Sequence, residues 1–333
     1  MIPVPSSVLE TLARAFGTAA PHLSHFGGGE PGSDGVVYAY PYQDAQRLLK
    51  IMAIPAQDQH RGRLGLEERL QFMRFLGEHG AHIAFPQLSP QGNLYETVRD
   101  QGHLWIGYGM HLARGEAPAQ DAWDTRFFRN WGQAIGKLHR LAQQYPSWRA
   151  ALDPENGEPF LTWEEEWEGF HRWCQDEAVK QKWVEIKEQL DALPIARDAF
   201  GFIHNDPHIW NLRVHGDCVT LLDFDVANHH WFVNDIAIAC QSVLIFLSGG
   251  LHGPVHHRGR LLEFLACFLE GYERENHLPA AWLNRLDLFI AYRRILLFIV
   301  MYDWVQSQPE LHASWKQMVL MPPEVVGASF AQT

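Results

Sequence analysis

Two stretches decide how this chain is to be read: Gly201-Phe202-Ile203-His204-Asn205-Asp206-Pro207-His208-Ile209-Trp210-Asn211-Leu212 and, after a Gly216-Asp217 turn, Leu221-Leu222-Asp223-Phe224-Asp225. Both are short apolar, strand-like runs set among helical periodicity, and both carry a dense set of His, Asp and Asn. The polar spacing of the first is His-x-Asp-x-x-x-x-Asn. Phosphoryl transfer needs such a set. Asp206 would orient an attacking hydroxyl and take its proton, while the amide oxygen of Asn211 and the carboxylate of Asp223 hold the Mg²⁺ that neutralises phosphate oxygens. Hard oxygen donors suit Mg²⁺ better than zinc. His204 and His208 stand four apart, as a zinc pair on a helix would, but Pro207 between them breaks a helix. His204 is expected to brace the loop by hydrogen bonding, and His208 to do the same or to lie near the metal.

Around these stretches the chain changes character. Glycines at 27, 28, 29 and 32, an Asp34-Gly35 turn and the runs Val36–Tyr40 and Leu48–Ile54 predict strands and turns. Leu66, Leu70, Met73 and Leu76 predict an amphipathic helix over Leu64–His79, stopped by Gly80, and Asn93–Val98 and His103–Met110 read as further strands. Residues 20 to 110 thus make a small antiparallel sheet with one helix. Helices are predicted over Asp124–Gln144, Trp163–Leu193, Asn234–Leu247, Arg258–Glu275 and Ala280–Gln306. The passage between halves lies near Tyr108–Gly115, dividing the chain into 1–109 and 110–333.

Composition bounds the function. The chain has 333 residues, 47% of them hydrophobic, enough for a well-buried core and more than one domain or lobe. Its net charge of −12 disfavours nucleic acid or an anionic membrane surface as a partner and points to a cationic, neutral or metal-bridged one. Four cysteines without a Cys-x-x-Cys pair indicate neither a zinc knuckle nor a disulfide framework, which fits a reducing cytoplasm. Met1–Gly17 lacks the early positive charge and continuous apolar run of a secretory signal. Asp235 and Gln241 interrupt one long apolar segment and Arg293 and Arg294 another, so neither reads as a membrane span.

At the quoted residues the chain resembles the superfamily of aminoglycoside phosphotransferases, choline kinases and homoserine kinases, relatives of protein kinases. Its pattern is a His-Gly-Asp-x-His-x-x-Asn loop followed by an Ile-Asp-Phe metal strand. His204, Asp206, His208 and Asn211 match the loop, and Asp223 with Phe224 the strand. Trp231–Ala237 looks like the family's Asp-Leu-Ala segment, whose Asp, here Asp235, buttresses the loop, and Gly132–His139 is similar to its helix ending in Leu-His. The resemblance covers roughly residues 25 to 300. It implies an α+β, bilobal, protein-kinase-like fold: a small antiparallel N-terminal lobe with one helix and a mainly helical C-terminal lobe. It further implies a transferase moving the γ-phosphate of ATP, with Mg²⁺, to a hydroxyl of a small molecule. Lys50 would reach the ATP phosphates and Gly27–Gly35, including Gly28 and Gly29, would form the hairpin over them. Glu67 and Glu68 lie about 100° apart on their helix, so one faces Lys50, and Glu68 is preferred. The backbone from Met110 to Leu112 would be the adenine-binding hinge.

Two departures narrow the branch. Asn205 follows the loop His where regulated protein kinases carry Arg, and no Ala-Pro-Glu segment follows Asp223, so a phosphorylation-controlled protein kinase is not expected. Asp225 stands where Gly is usual; it could ligate a second metal, bind a cationic acceptor or cap a turn. Atypical protein Ser/Thr kinases of the same superfamily, and nucleotide-binding relatives without catalysis, are the alternatives.

Other signals are weaker. Gly27, Gly29 and Gly32 spell G-x-G-x-x-G, yet a strand follows instead of the helix a dinucleotide fold needs. No Gly-Lys-Ser/Thr occurs, so there is no Walker A motif. Trp163, Trp167 and Phe170 repeat at helical spacing among Glu164, Glu165, Glu166 and Glu168. Either the aromatics are core beside a solvated acidic face, or they form an acidic aromatic wall for an amine-bearing acceptor. His252, His256 and His257 read as a polar loop. With the net charge, the wall suggests a cationic acceptor such as an amino alcohol, a hydroxy amino acid or an aminoglycoside. Oligomeric state stays open.

Overall fold

Lys50 lies in β3 (Ala45–Pro55), with β2 (Val36–Tyr42) on one side and β6 (His103–His111) on the other. These belong to a computed structural model that describes residues 3–30, 35–55, 58–146, 161–247 and 258–321. The sheet is antiparallel, in the order β1 (Ser24–Gly28), β2, β3, β6, β4 (Pro86–Gln87), with β5 (Glu96–Asp100) also on β6. Because side chains alternate across a strand, Leu49 and Ile51 turn to one face and Lys50 to the other. On the first face they join Tyr40 and Trp105 in a core with Val8, Leu12 and Phe16. Val8 and Leu12 come from α1 (Ser6–Ala15), a helix beyond the one expected; α2 is the predicted one, extended to Gln59–Glu78.

The sheet, α1 and α2 form one compact unit, Met1–Arg114, to which Leu222–Asp225 also belongs; Gly115–Leu221 and Val226–Thr333 form the other. The division thus falls at Arg114, a few residues after the expected one. Leu222–Asp225 joins the first unit because Phe224 is buried against Phe72 of α2, with ring centroids 6.3 Å apart.

The second unit is mainly helical. Asp124 caps α3 (Thr125–Ala142), its carboxylate accepting the Phe127 N–H at 2.7 Å. Helices α4 (Trp163–Trp173) and α5 (Glu177–Asp191) replace the single helix expected over Trp163–Leu193, because Asp176 caps the second by accepting from the N–H groups of Ala178 and Val179. Strand β7 (Phe200–Ile203) pairs with β10 (Asn228–Trp231), and β8 (Leu212–His215) with β9 (Cys218–Leu221). Then follow α6 (Phe232–Leu247), α7 (Arg258–Tyr272), α8 (Ala280–Leu283), α9 (Leu286–Val300), α10 (Tyr302–Gln306) and α11 (Pro309–Leu320). The segment expected as one helix over Ala280–Gln306 is therefore three. Helices α3 and α7 approach so closely that a Cβ on Gly132 would lie 1.8 Å from the Phe268 carbonyl oxygen, which fixes glycine there. Among the described residues no helix is long and apolar enough to cross a membrane.

Candidate active site

In the second unit the loop after β7 is held from below by Asp235, in the first turn of α6. Its carboxylate accepts the backbone N–H groups of His204 (3.1 Å) and Asn205 (2.8 Å). It is braced in turn by His139, the last residue of the Leu-His motif, whose Nε2 lies 3.1 Å away. Asn276 donates to the Tyr272 hydroxyl at 2.8 Å, which leaves that O–H to donate to His139 Nδ1 at 2.9 Å. Burial lowers the His139 pKa, so the ring is neutral and its Nε2–H donates a hydrogen bond to the Asp235 carboxylate. His204 is fully buried and accepts the Asp206 N–H on Nδ1 at 3.3 Å, a bond within the loop.

Asn205 has φ 65°, a left-handed conformation that asparagine tolerates better than most residues. Its side chain is used throughout. Nδ2 donates to Glu166 and to the Val226 carbonyl (3.1 Å), and Oδ1 accepts from Asn234 (2.8 Å). Glu166, on α4, also accepts from Asn228 (3.2 Å) and from the Tyr292 hydroxyl (2.7 Å), and its burial raises its pKa.

This network aims Asp206. Burial alone would raise its carboxyl, but Arg293 beside it, helped by His208 and His204, lowers the pKa to about 2. The group is therefore an anion at any physiological pH, ion-paired to Arg293 from α9, with His208 Nε2 3.4 Å from Oδ2. Asn211 donates its amide N–H to the Asp206 carbonyl at 3.0 Å, leaving its amide oxygen as the atom for a cation.

In the first unit, Lys50 and Tyr108 are cross-strand partners and reach the same carboxylate. Asp225 is ion-paired to the Lys50 ammonium and accepts the Tyr108 O–H at 3.1 Å, and Asp223 lies 3.6 Å from Lys50. Burial alone would lower the Lys50 pKa; Tyr108 and the carboxylates of Asp225 and Asp223 outweigh it and raise it. Asp223 also has positive φ, 59°, and its side chain is 51% exposed. Two oxygens on an exposed carboxylate are donors that a hard divalent cation takes. Gly28 turns β1 back with φ 70°; a Cβ there would fall 2.2 Å from the Gly35 carbonyl oxygen, which also accepts the Gly29 N–H at 3.0 Å. Gly35 in turn sits so that a Cβ would lie 3.4 Å from Lys50 Cε, so the glycine hairpin and the lysine are neighbours. Met110 is held in β6 opposite Leu48 and Pro86, and Leu112 follows one residue beyond the strand.

A profile of the phosphotransferase enzyme family (APH) matches residues 37–290. The chain belongs to this family. The amicoumacin kinase of Bacillus subtilis (strain 168) is 27% identical over 238 residues, 70% of this phosphotransferase and 68% of that protein. The solved amicoumacin kinase hAmiN, in complex with AMP-PNP, Ca²⁺ and Ami, superposes with a TM-score of 0.82 at 25% identity, over 98% of this chain and 96% of that one. A microcompartment-associated aminopropanol kinase shares the fold, with a TM-score of 0.69, 19% identity and 95% of each chain covered. The fold is thus the α+β, kinase-like one, and the phosphotransferase is an ATP-dependent small-molecule kinase acting on a hydroxyl group.

Several expectations for this phosphotransferase change on inspection. Trp163 and Trp167 do not line an acceptor wall. Both are buried; Trp167 stacks on Trp183 at an interplanar angle of 11° and donates its indole N–H to the Trp183 carbonyl at 3.0 Å, while Trp163 packs on Trp231. The acidic face is not simply solvated either, since Glu165 closes a capping box with Thr162 and Glu166 is drawn into the loop network. The ion pairs found for Lys50 run to Asp225 and Asp223, where a helix glutamate, Glu68, was expected; Glu67 accepts from Tyr95 and Gln71, both at 3.3 Å. Asp225, left open between three roles, takes a fourth as partner of Lys50. Gly32 and the histidines 252, 256 and 257 lie outside the described residues. Arg293, Glu166, Tyr108 and Tyr292 were not anticipated. The one sign of Arg293 in the sequence is an arginine pair within an otherwise apolar helix.

Proposed function

We propose that Asp206 is the catalytic carboxylate of this kinase, that Asn211 and Asp223 supply oxygen donors to Mg²⁺, and that the acceptor carries an amine as well as its hydroxyl. The carrying observation is the state of Asp206: an ionised carboxylate, fixed by Arg293, on a loop whose backbone is pinned by Asp235. An aligned anion that need not reorganise suits the orienting of an acceptor hydroxyl. Lys50 supplies positive charge for the phosphates, under the hairpin of Gly28 and Gly29, and the backbone from Met110 to Leu112 holds adenine. Bound Mg²⁺ would neutralise charge on the phosphate oxygens. Glu68, on the helix beside the lysine strand, is kept as a nucleotide-side residue. Four free cysteines are in keeping with a reducing cytoplasm, to which we assign the enzyme.

For the amine, the support is the net charge of −12, which concentrates cations, and the acceptor named for one structural relative, an aminopropanol kinase. The local acidic wall adds less, since Glu165 and Glu166 are engaged elsewhere. ADP release measured across amino alcohols, aminoglycosides, amicoumacin and neutral sugars, with Mg²⁺ and with Mg²⁺ chelated, tests the reading. Turnover should require Mg²⁺, favour amine-bearing acceptors and weaken with ionic strength. A neutral sugar as best acceptor, with kcat/KM indifferent to salt, would overturn the amine; turnover that survives chelation would overturn the metal.

A further inference from the structure

Trp210 lies in the catalytic loop itself, between His208 and Asn211, and is 52% exposed. Exposed tryptophans are not rare on this protein: Trp173 and Trp304 are as open, on α4 and α10. What sets Trp210 apart is its company. Its ring lies on Phe246 of α6, with centroids 5.0 Å apart and planes tilted by 34°, and Phe246 meets the buried Trp123 edge-on at 4.7 Å. On its other flank is His208, edge-on at 5.4 Å, whose Nε2 is 3.4 Å from the Asp206 carboxylate. An aromatic row therefore starts from buried core at Trp123 and ends, one imidazole away, at the residue proposed to orient the acceptor hydroxyl.

A tryptophan backed by aromatic rings and half open to water is a poor use of apolar surface unless something covers it. Position narrows what that is. His208 spans the two, its Nε2 3.4 Å from the Asp206 carboxylate and its ring 5.4 Å from that of Trp210, so an acceptor whose hydroxyl meets Asp206 and whose body extends along His208 comes to the Trp210 ring. Resting on the assignment of Asp206 made above, we propose that Trp210 and Phe246 form a binding shelf for a planar, apolar ring carried by the acceptor. The substrates it selects are ring-bearing hydroxy amines, and small aliphatic amino alcohols are the weaker ligands. Trp210 is then a specificity-determining residue.

A matched pair of amino alcohols tests this. Isopropanolamine and phenylethanolamine share the same amine and carbinol and differ by a methyl against a phenyl group. Calorimetric binding of each would be measured to the full chain with AMP-PNP and Mg²⁺ present. The wild-type protein should bind the phenyl compound about tenfold tighter or more, the range expected of a stacked ring. Trp210→Ala should bring the two within about twofold, and Trp210→Phe, which keeps a ring and guards against misfolding, should retain most of the preference. An unchanged ratio in Trp210→Ala overturns the shelf, and so does a wild-type protein that binds both equally or neither. Phosphate transfer to each compound is followed separately. A ring preference without transfer would count against the role of Asp206 and leave the shelf standing, whereas transfer without a ring preference would count against the shelf alone.

Discussion

Replacing Glu166 with leucine removes one carboxylate on which three donors converge, the amides of Asn205 and Asn228 and the hydroxyl of Tyr292. Asn205 keeps the Val226 carbonyl at 3.1 Å, so the full loss falls on Asn228 and Tyr292. A buried donor stripped of its acceptor costs about 1–3 kcal/mol, hence about 2–6 kcal/mol for the pair. Against this, the Glu166 carboxylate is itself desolvated, as its raised pKa shows, and leucine removes that penalty. The net expectation is a destabilisation of about 2–3 kcal/mol. At roughly 2–4 °C per kcal/mol for a unit of this size, Tm falls by about 4–12 °C. The kinetic effect should be selective: kcat drops because Asn205 and, through Tyr292, the Arg293 segment lose their anchor, while KM for Mg·ATP moves little. Glu166→Gln offers one oxygen to donors on two sides and should fall between the two proteins. The sign with pH follows from the raised pKa. The native state holds a proton that the unfolded chain releases above the ordinary value of 4.5, so this contribution is full below that pH and is lost as pH rises through the native pKa. The stability gap between wild type and Glu166→Gln should therefore narrow toward neutrality. A Glu166→Leu protein with the wild-type Tm and kcat would refute this account of the loop.

Other substitutions separate the roles. Asp206→Asn should lower kcat by ~10² or more with nucleotide affinity nearly intact; unchanged turnover would remove Asp206 from the reaction. Asp223→Ala should abolish activity and weaken Mg·ATP far more than Mg-free ATP in calorimetry, and equal losses would make Asp223 structural. Asp225→Ala leaves the buried Lys50 ammonium with Asp223 alone and should destabilise the first unit by about 2–3 kcal/mol, somewhat less than breaking a sole buried pair; a urea midpoint unmoved by the change would show that Asp225 is dispensable. Asn205→Gly suits the backbone but gives up the side-chain bonds, so it should fold and lose kcat, whereas full kcat would show that the backbone conformation alone suffices.

The residues proposed for the site were legible because phosphoryl transfer calls for polar residues in short apolar strands at a set spacing, and His204, Asp206, Asn211, Asp223 and Lys50 all stand out against such a background. Their supports were not. Arg293 lies 87 positions from Asp206 and Glu166 lies 39 from Asn205, and nothing local in either segment announces a partner so distant. The Trp163–Phe170 pattern shows a similar limit, since its period marks an amphipathic helix without saying that one glutamate of the polar stripe, Glu166, is drawn inward. Strand β10 escaped notice because Asn228, His229 and His230 have no apolar alternation; they are buried all the same, and His230, enclosed by aromatic rings, has its pKa lowered by burial to about 3. The breaks in the long helices were hidden by continuous periodicity, the one at the capping Asp176 included, since that segment reads as a single helix over Trp163–Leu193.

The two departures from the family pattern turn out to share a logic. At residue 205 the pattern has glycine, and φ of 65° shows why: the loop needs a left-handed residue there. Asparagine can adopt that conformation, and in exchange for the strain it brings an amide that ties the loop to α4, to β10 through Glu166, and to α6 through Asn234. At residue 225 the usual glycine is replaced by an acid that would be an unpaired buried charge were Lys50 and Tyr108 not already side by side on β3 and β6. In both places a flexible residue has given way to one that makes specific polar bonds, and each change is matched by a partner in the same unit. Asp206 and Lys50 are therefore each held by side chains as well as by backbone. That rigidity favours an enzyme whose discrimination among acceptors comes from surfaces beside the loop, such as the ring of Trp210, and not from rearrangement of the loop itself.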